Sequence, residues 1–364
     1  MSLPLRTAED IEVESVPNCP WCERAGAPLY SGLHDHTFDS PGEWACSHCA
    51  ECGAIWLNPR PTARDVGKVY RTYYTHRVYA AGEGFRTHVG RSRMLSSLVS
   101  TCIAFSRYLR RNVLASAMGY AEQGTGMGGR GVARVLATPL GIKGAAWISV
   151  LGLTAAERGK LLDVGCGNGE FLATMKELGW DTVGLETDER AATVARERFG
   201  LDVRTGTLDD VGFRDDSFDV ISLSHVIEHV HDPVALLTEC HRILRPSGKL
   251  IILTPNTRSL GHRIFGAAWR GLEPPRHIHL FNRVTLRSAV ERAGLRVATV
   301  RTVARMMQGI WVASRLIQRA NAGQPGRSSR ADYVTSYVMR AVERLMGVAW
   351  PDAGEELVLV ASKQ

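Results

Sequence analysis

The 364-residue sequence has few long hydrophobic runs. Residues 1–18 are acidic and polar, and they lack the apolar stretch of a secretory signal. The closest match to a membrane span, residues 136–156, is interrupted by Pro139, Lys143 and several glycines. Without a route to secretion we expect a cytoplasmic protein, whose eight cysteines are thiols or metal ligands rather than disulfides.

Two nucleotide-binding signatures are also missing. No Gly-Lys-Ser/Thr sequence completes a P-loop. The glycines of residues 165–169 follow the pattern G-x-G-x-G rather than the G-x-G-x-x-G of dinucleotide-binding proteins. These absences argue against nucleotide hydrolysis and against hydride transfer.

Acidic residues are scarce over residues 77–143, where only Glu83 and Glu122 carry a carboxylate. With a net charge of +7, the chain could bind nucleic acid, a membrane surface or a phosphorylated substrate, or be a soluble protein rich in arginine. A basic amphipathic helix in this region and a second helical stripe over residues 331–350 could make peripheral contact with the inner membrane surface, although such helices more often have another role. Core packing and a lid over the active site are the alternatives.

Two C-x-x-C pairs lie in the loop-rich first 60 residues. The pairs are Cys19 with Cys22 and Cys49 with Cys52, and 26 residues separate them. Each pair can supply two thiolates from one tight turn, so together they predict a structural zinc site with no open position. Cys46 and His48 are alternative ligands. A redox-active pair is the rival interpretation, but it would require a thioredoxin-like strand and helix.

An apolar strand, a glycine turn and an amphipathic helix follow one another over residues 159–180. Gly165, Gly167 and Gly169 let the backbone pass close to a nucleotide-like ligand. The next strand ends at Glu186, about twenty residues beyond the loop, where a carboxylate can accept both ribose hydroxyls of an adenosine. Residues 218–223 and 249–256 predict two more buried strands.

Several motifs occur in order along residues 159–304. They are Asp163 with the glycine loop, Glu186, SFDVISLSHVIEHVHDP, ILRPSGKLIILTPN and RHIHLFNRVTLRSAVERAGL. Together they resemble the class I S-adenosylmethionine-dependent methyltransferases, and most of all the small-molecule branch that includes the ubiquinone-biosynthesis O-methyltransferases. The resemblance implies an α/β, Rossmann-like sheet of seven strands, the last one antiparallel, with an N-terminal zinc-ribbon-like module and helical additions.

The resemblance also implies which residues bind the cofactor. They are Asp163, Gly165, Cys166, Gly167, Gly169, Glu186, Thr207, Leu208 and Ser224. Asp163 and the loop would line the methionine part of S-adenosylmethionine, and Glu186 would hold the ribose. Thr207 stands where such enzymes often have an aspartate against adenine, so its hydroxyl or the Leu208 backbone would replace that contact.

Three histidines are predicted as catalytic: His225, His277 and His279. His277 or His279 could act as the base that deprotonates an acceptor, because a neutral imidazole suits that task. Alternatively, both orient their loop, with Asn282 capping the next helix. Residues 225–229 match the H-x-x-E-H signature of zinc peptidases. That signature requires a helix that presents both histidines and a zinc ion with an open coordination position. Some related quinone methyltransferases hold a divalent ion here, which leaves His225, Glu228 and His229 as a possible metal site.

We therefore predict four segments: a zinc-binding module (1–60), a basic helical region (61–150), the S-adenosylmethionine-binding core (151–304), and a helical insertion with the final strand of the core (305–364). The predicted activity is O- or C-methylation of a small molecule, such as a nucleotide- or lipid-linked sugar or a phenolic ring. Methylation of RNA, gripped by the cysteine module and the basic region, is an alternative. A non-catalytic cofactor-binding or scaffolding protein is another. The acceptor, the methylated atom and the oligomeric state do not follow from the sequence.

Overall fold

The computed structural model describes residues 11–70, 112–120, 147, 149–304, 307–324 and 326–364. They fall into two units. The first unit contains Met1–Tyr74, Leu162–Gly165 and Gly206–Gln364, and the second contains Thr75–Leu161 and Cys166–Thr205. Most of the predicted basic helical region, including Cys102, lies outside the described residues. Among the helices that are described, none combines the length and hydropathy needed to cross a membrane.

The described strands are β1 (Val13–Glu14), β2 (Ala27–Leu33), β3 (Trp44–His48), β4 (Ile55–Leu57), β5 (Arg60–Pro61), β6 (Lys160–Val164), β7 (Asp181–Glu186), β8 (Asp202–Thr205), β9 (Phe218–Ser224), β10 (Leu244–Pro255), β11 (His279–Leu280), β12 (Arg296–Val303) and β13 (Glu356–Ser362). Seven of them form the largest sheet, in the order β12-β13-β10-β9-β6-β7-β8. The pairs β9–β10 and β7–β8 are parallel, whereas β13 runs antiparallel to both of its neighbours. The predicted α/β sheet of seven strands with an antiparallel last strand is therefore confirmed.

After residue 160 the α-helices are α1 (Glu170–Glu177), α2 (Glu189–Phe199), α3 (Leu208–Val211), α4 (Pro233–Ile243), α5 (Leu260–Phe265), α6 (Arg283–Arg292), α7 (Met307–Asn321) and α8 (Arg330–Ala349). Several begin where the local sequence satisfies free backbone N–H groups. Asp232 caps α4 just before Pro233, and Asn282 accepts from the amides of Val284 and Thr285 at the start of α6. These caps fix where the strand-to-helix connections end.

A smaller sheet joins the cysteine-rich segment to a distant part of the chain. Its order is β11-β4-β3-β2, so residues 279–280 extend a sheet that is otherwise built from residues 27–57. Beneath it, Trp44 and Leu57 share a buried cluster with Trp269, Ile278 and other apolar side chains. The histidine-containing segment is therefore fixed by backbone pairing and by apolar packing.

Candidate functional site

The glycine loop in the second unit holds a buried carboxylate. The Gly167 amide donates to Glu186 Oε2 at 2.8 Å, and the Asp188 amide donates to Oε1 at 3.0 Å. The Cys166 amide donates to the carbonyl of Leu185 at the end of β7. The residues predicted from the two separate motifs are thus brought together, with Glu186 only 9% exposed.

Two glycines of this loop adopt positive φ for different reasons. At Gly169 (φ 80°) a Cβ atom would lie 2.6 Å from Leu201 Cδ1 and 2.8 Å from Ala195 Cβ, so close packing excludes a side chain. At Gly167 (φ 54°) a Cβ atom would meet nothing within 4 Å. The space beside Gly167 is therefore open, which fits a ligand passing close to the backbone.

The first unit contains the other predicted cofactor residues. Asp163 is buried and accepts a hydrogen bond from Ser222 Oγ at 2.6 Å. A Cβ atom at Gly165 would lie 2.5 Å from Val226 Cγ2, so packing against Val226 requires glycine there. Ser224 ends β9 and is half-buried.

Thr207 occupies the N-cap of α3. Its hydroxyl donates to Asp210 Oδ2 at 2.7 Å, and the Thr207 amide donates to the same oxygen at 2.8 Å. The Thr207 side chain therefore serves a capping box. Leu208 follows with a buried side chain, which leaves its backbone as the stronger choice for an adenine contact.

His225 lies between two fully buried glutamates. Its Nδ1 is 3.1 Å from Glu228 Oε1 and its Nε2 is 2.9 Å from Glu356 Oε1. Burial alone would lower the pKa of His225, but the hydrogen bonds and charges of the two carboxylates raise it to about 10. With both nitrogens protonated, this imidazolium has no lone pair with which to accept a proton.

Three neighbouring side chains, Glu228, His229 and His277, could hold a metal ion, since each offers a ligand atom within 4.8 Å of the others. Nδ1 of His229 faces the Arg276 carbonyl at 3.1 Å, and Nδ1 of His277 faces the Gly271 carbonyl at 2.8 Å. Backbone carbonyls that fix imidazoles in this way are typical of metal-ligating histidines. This set differs from the predicted one, because it contains His277 and leaves out His225.

His277 and His279 are both buried and neutral near pH 7. Burial lowers the pKa of His277 to about 4, despite the opposing charge of Glu273. Burial and the positive charge of Arg60 lower the pKa of His279 to about 4 as well. Nε2 of His279 lies 3.3 Å from Arg60 Nη1, whereas its Nδ1 has no hydrogen-bond partner among the described residues.

A cleft of about 790 Å³ opens beside His279 in the first unit. The Trp21 ring, between the first two cysteines, lies 5.7 Å from the His279 ring. Arg60 and His231 also line the cleft, as do Thr207 and Leu208. Sequence reasoning missed Trp21 and Arg60 as lining residues, although a tryptophan inside a C-x-x-C pair was a visible signal.

Arg276 is fully buried rather than solvated. Its guanidinium pairs with Asp35 Oδ2 at 2.8 Å and with Glu273 Oε1 at 3.1 Å. Burial opposes the charge, but these two carboxylates raise the pKa of Arg276 overall. The Arg276 side chain therefore belongs to a buried ion-pair network next to His277.

The four predicted zinc ligands converge in the first unit. Sγ–Sγ distances are 3.5 Å for Cys19–Cys52, 3.4 Å for Cys22–Cys49 and 3.9 Å for Cys22–Cys52. A tetrahedral site with Zn–S bonds of about 2.3 Å has sulfur atoms about 3.8 Å apart, so the cluster has the size of such a site. Cys46 and His48 are not part of it.

The two cysteine turns repeat the same backbone pattern. In each, the amide of the first cysteine donates to the carbonyl five residues later, and its own carbonyl accepts from the amide four residues later. That fourth residue has positive φ in both turns, 61° at Glu23 and 68° at Gly53. Matched turns that each aim two thiols at one point favour a metal site over a redox pair.

The seven-stranded sheet with its antiparallel strand β13 has the Rossmann-like α/β fold of methyltransferases. Residues 143–300 match the family described as "Methyltransferase domain". Matched relatives include the ubiquinone biosynthesis O-methyltransferases of Cereibacter sphaeroides (40% identity, covering 30% of this chain and 47% of the relative) and Mesorhizobium japonicum (31% identity, 37% and 57%). The chain thus spans about half the length of the curated relatives it matches.

Solved structures with the same kind of fold match more distantly. One is a SAM-dependent methyltransferase from Archaeoglobus fulgidus, with 21% identity, a TM-score of 0.39, and coverage of 57% of this chain and 86% of that one. Another is an S-adenosylmethionine-dependent methyltransferase from Mesorhizobium loti, with 20% identity, a TM-score of 0.42, and coverage of 60% and 97%.

Proposed function

We propose that this chain transfers the methyl group of S-adenosylmethionine to an oxygen or carbon atom of a small molecule, such as a nucleotide- or lipid-linked sugar or a phenolic ring. The observation that carries the proposal is the glycine loop with Glu186 held against it and open space beside Gly167. The matched family and the ubiquinone-pathway relatives support the same reaction class.

The proposed cofactor residues have distinct tasks. Glu186 would exchange its bond with the Gly167 amide for the ribose hydroxyls, and Asp163 with the glycine loop would line the methionine part. Leu208 would meet adenine through its backbone, and Ser224 would border the methionine end. When bound, S-adenosylmethionine supplies an electrophilic methyl group on a sulfonium.

His277 and His279 are the proposed bases. An acceptor hydroxyl or carbon acid would lose its proton to the imidazole while its oxygen or carbon took the methyl group; the methyl–sulfur bond would break, with its electron pair staying on the sulfur of the departing S-adenosylhomocysteine. Both imidazoles are neutral at pH 7, so each keeps a lone pair for this step. His225, already protonated, would instead position Glu228, whose pKa it lowers to about 2 against the effect of burial.

We also propose that Cys19, Cys22, Cys49 and Cys52 bind a structural zinc ion. Four thiolates complete the coordination shell and leave no position for substrate. The ion would therefore stabilise the two turns and would not take part in methyl transfer.

The function is tested by calorimetry with S-adenosylmethionine and by transfer of radiolabelled methyl to cell-extract fractions. His277→Ala and His279→Ala should both bind the cofactor, and one of them should lower turnover by about 100-fold or more. His241→Ala, on α4, is the matched control and should retain full rate.

Three results would contradict parts of this proposal. Failure to bind S-adenosylmethionine would remove the function itself. Full turnover by both histidine variants would remove the base assignment alone. Label appearing in RNA, with binding that falls steeply as salt rises, would favour RNA as the acceptor.

A further inference from the structure

Helix α8 buries three polar side chains and exposes an apolar stripe, although Met339 and Val342 also pack against the apolar cluster of the first unit. Asp332, Ser336 and Glu343 are at most 4% exposed, whereas Val334, Val338 and Leu345 are 63%, 56% and 75% exposed. Six of the eight large apolar side chains exposed in the described part of the chain belong to this helix. A surface helix of a globular protein normally shows the opposite arrangement, so this face has the character of a binding surface.

Two of the inward polar side chains, Asp332 and Glu343, contact other segments of the first unit, which fixes the orientation of the helix. Asp332 accepts from both Nη atoms of Arg319 at 2.7 and 3.0 Å. Ser336 donates to the carbonyl of Tyr333, and Glu343 Oε1 accepts from the Glu355 amide at 2.8 Å. Turning α8 over would break the contacts of Asp332 with Arg319 and of Glu343 with the Glu355 amide, so the apolar stripe cannot simply rotate inward.

The exposed stripe consists of residues spaced by one helical turn. Its members are Tyr333, Val334, Tyr337, Val338, Ala341 and Leu345, and we call this set the outer stripe. The charged residues exposed on the same helix are Arg330 and Arg344, because both of its acidic residues are buried. Arg327, in the segment just before α8, is exposed as well. No acidic side chain of the described residues pairs with these three arginines.

We propose that the outer stripe docks on a bilayer surface that contains anionic lipids, with α8 lying in the plane of the interface. Aliphatic side chains would enter the acyl boundary, the two tyrosines would sit at headgroup level, and the arginines would face lipid phosphates. A second copy of the chain fits less well, since a symmetric pairing would bring arginines together without an opposing acid. This inference does not rest on the proposed methyl transfer.

Vesicle flotation of the full chain tests the proposal. We expect binding to mixed phosphatidylcholine–phosphatidylglycerol vesicles, weakening with salt, and little binding to pure phosphatidylcholine vesicles. Val338→Glu should reduce binding about tenfold or more, because it places a charge in the acyl boundary. Val284→Glu is the matched control, since Val284 is 55% exposed on α6, and it should bind like the unmodified chain.

Variants that replace an arginine by glutamate test the electrostatic contribution to vesicle binding. Arg344→Glu should lower affinity for anionic vesicles several-fold. Arg198→Glu, at an exposed position of α2, should not. Equal binding to neutral and anionic vesicles, or equal losses in test and control variants, would overturn the proposal. So would sedimentation showing a dimer that Val338→Glu dissociates, without any vesicle binding. S-adenosylmethionine affinity, measured in parallel, reports separately on the proposed function.

Discussion

Substitution of Gly167 by leucine should abolish cofactor binding and leave the protein folded. A Cβ atom at this position meets nothing within 4 Å, so the folded chain has room for the new side chain. The backbone remains at φ 54°, where an L-residue costs about 1–2 kcal/mol. That cost corresponds to a fall in melting temperature of about 2–8 °C for a domain of this size.

The loss of affinity for S-adenosylmethionine should be much larger, in free energy, than the loss of fold stability. A leucine in the open space beside the loop would occupy the volume assigned to S-adenosylmethionine, so we expect affinity to fall about 100-fold or more, which is about 2.7 kcal/mol or more. Calorimetry measures the affinity, and differential scanning measures the melting temperature.

Two other glycines serve as controls. Gly323→Leu has a comparable backbone cost, with φ 69° and no atom within 4 Å, and it should bind the cofactor normally. Gly169→Leu should instead destabilise the fold by several kcal/mol. Its Cβ atom would clash with Leu201 and Ala195, which costs about 1–3 kcal/mol, and the positive φ adds a backbone cost like that at Gly167. Binding by Gly167→Leu within about threefold of the unmodified chain would refute our placement of the pocket.

Two further predictions concern the metal and pH. The purified chain should carry a single zinc ion by mass spectrometry, which Cys22→Ser should lose and Cys46→Ala should keep; retention of zinc in Cys22→Ser would exclude the proposed ligand set. Burial and the Glu355 charge raise the pKa of Glu343 to about 9, so the folded chain binds a proton that the unfolded chain releases at a much lower pH. The contribution of Glu343 to the free energy of unfolding is therefore fully present at low pH. It is lost as the pH rises from the pKa of this residue in the unfolded chain through about 9. Urea unfolding should show that Glu343→Gln makes this decline less steep. At pH 8 the free energy of unfolding of the variant should exceed that of the unmodified chain by more than about 1 kcal/mol. An unchanged pH dependence would contradict the raised pKa of Glu343.

The parts of the fold that local sequence specifies were predictable. Strand β6, the glycine turn and α1 form one continuous pattern, in which apolar residues, positive-φ glycines and an amphipathic stretch each have a local physical reason. The cysteine pairs were recognisable for the same reason, because each turn closes its own backbone hydrogen bonds. Their convergence into one cluster required only that two such turns meet.

Contacts between distant residues were not predictable. The buried ion pair of Arg276 with Asp35 joins residues that lie 241 positions apart. His225 could be interpreted as a catalytic residue or a metal ligand because Glu356, whose carboxylate stabilises its protonated form, lies 131 positions away. Neither pairing leaves a periodic or local signal in the sequence.

The helical stripe over residues 331–350 shows another limit. Its periodicity predicted a helix, and α8 occupies Arg330–Ala349. Periodicity identifies which residues share a face, but it does not determine whether that face meets the core or the exterior. The partners of Asp332 and Glu343 decide that question: Arg319 lies on α7, and the Glu355 amide lies just before β13.

The arrangement around Asn282 links the proposed zinc site to the proposed bases. Its side-chain amide donates to the carbonyls of Cys52 and Gly53 at 3.0 and 2.8 Å, while its oxygen caps α6. Strand β11, which contains His279, pairs with β4 just beyond the second cysteine turn. Because a closed site of four cysteines offers no position to a substrate, its contribution to catalysis must be geometric. Loss of zinc should therefore affect turnover by loosening the segment that holds His277 and His279, while Gly167 and Glu186, which belong to the other unit, keep their hydrogen bond.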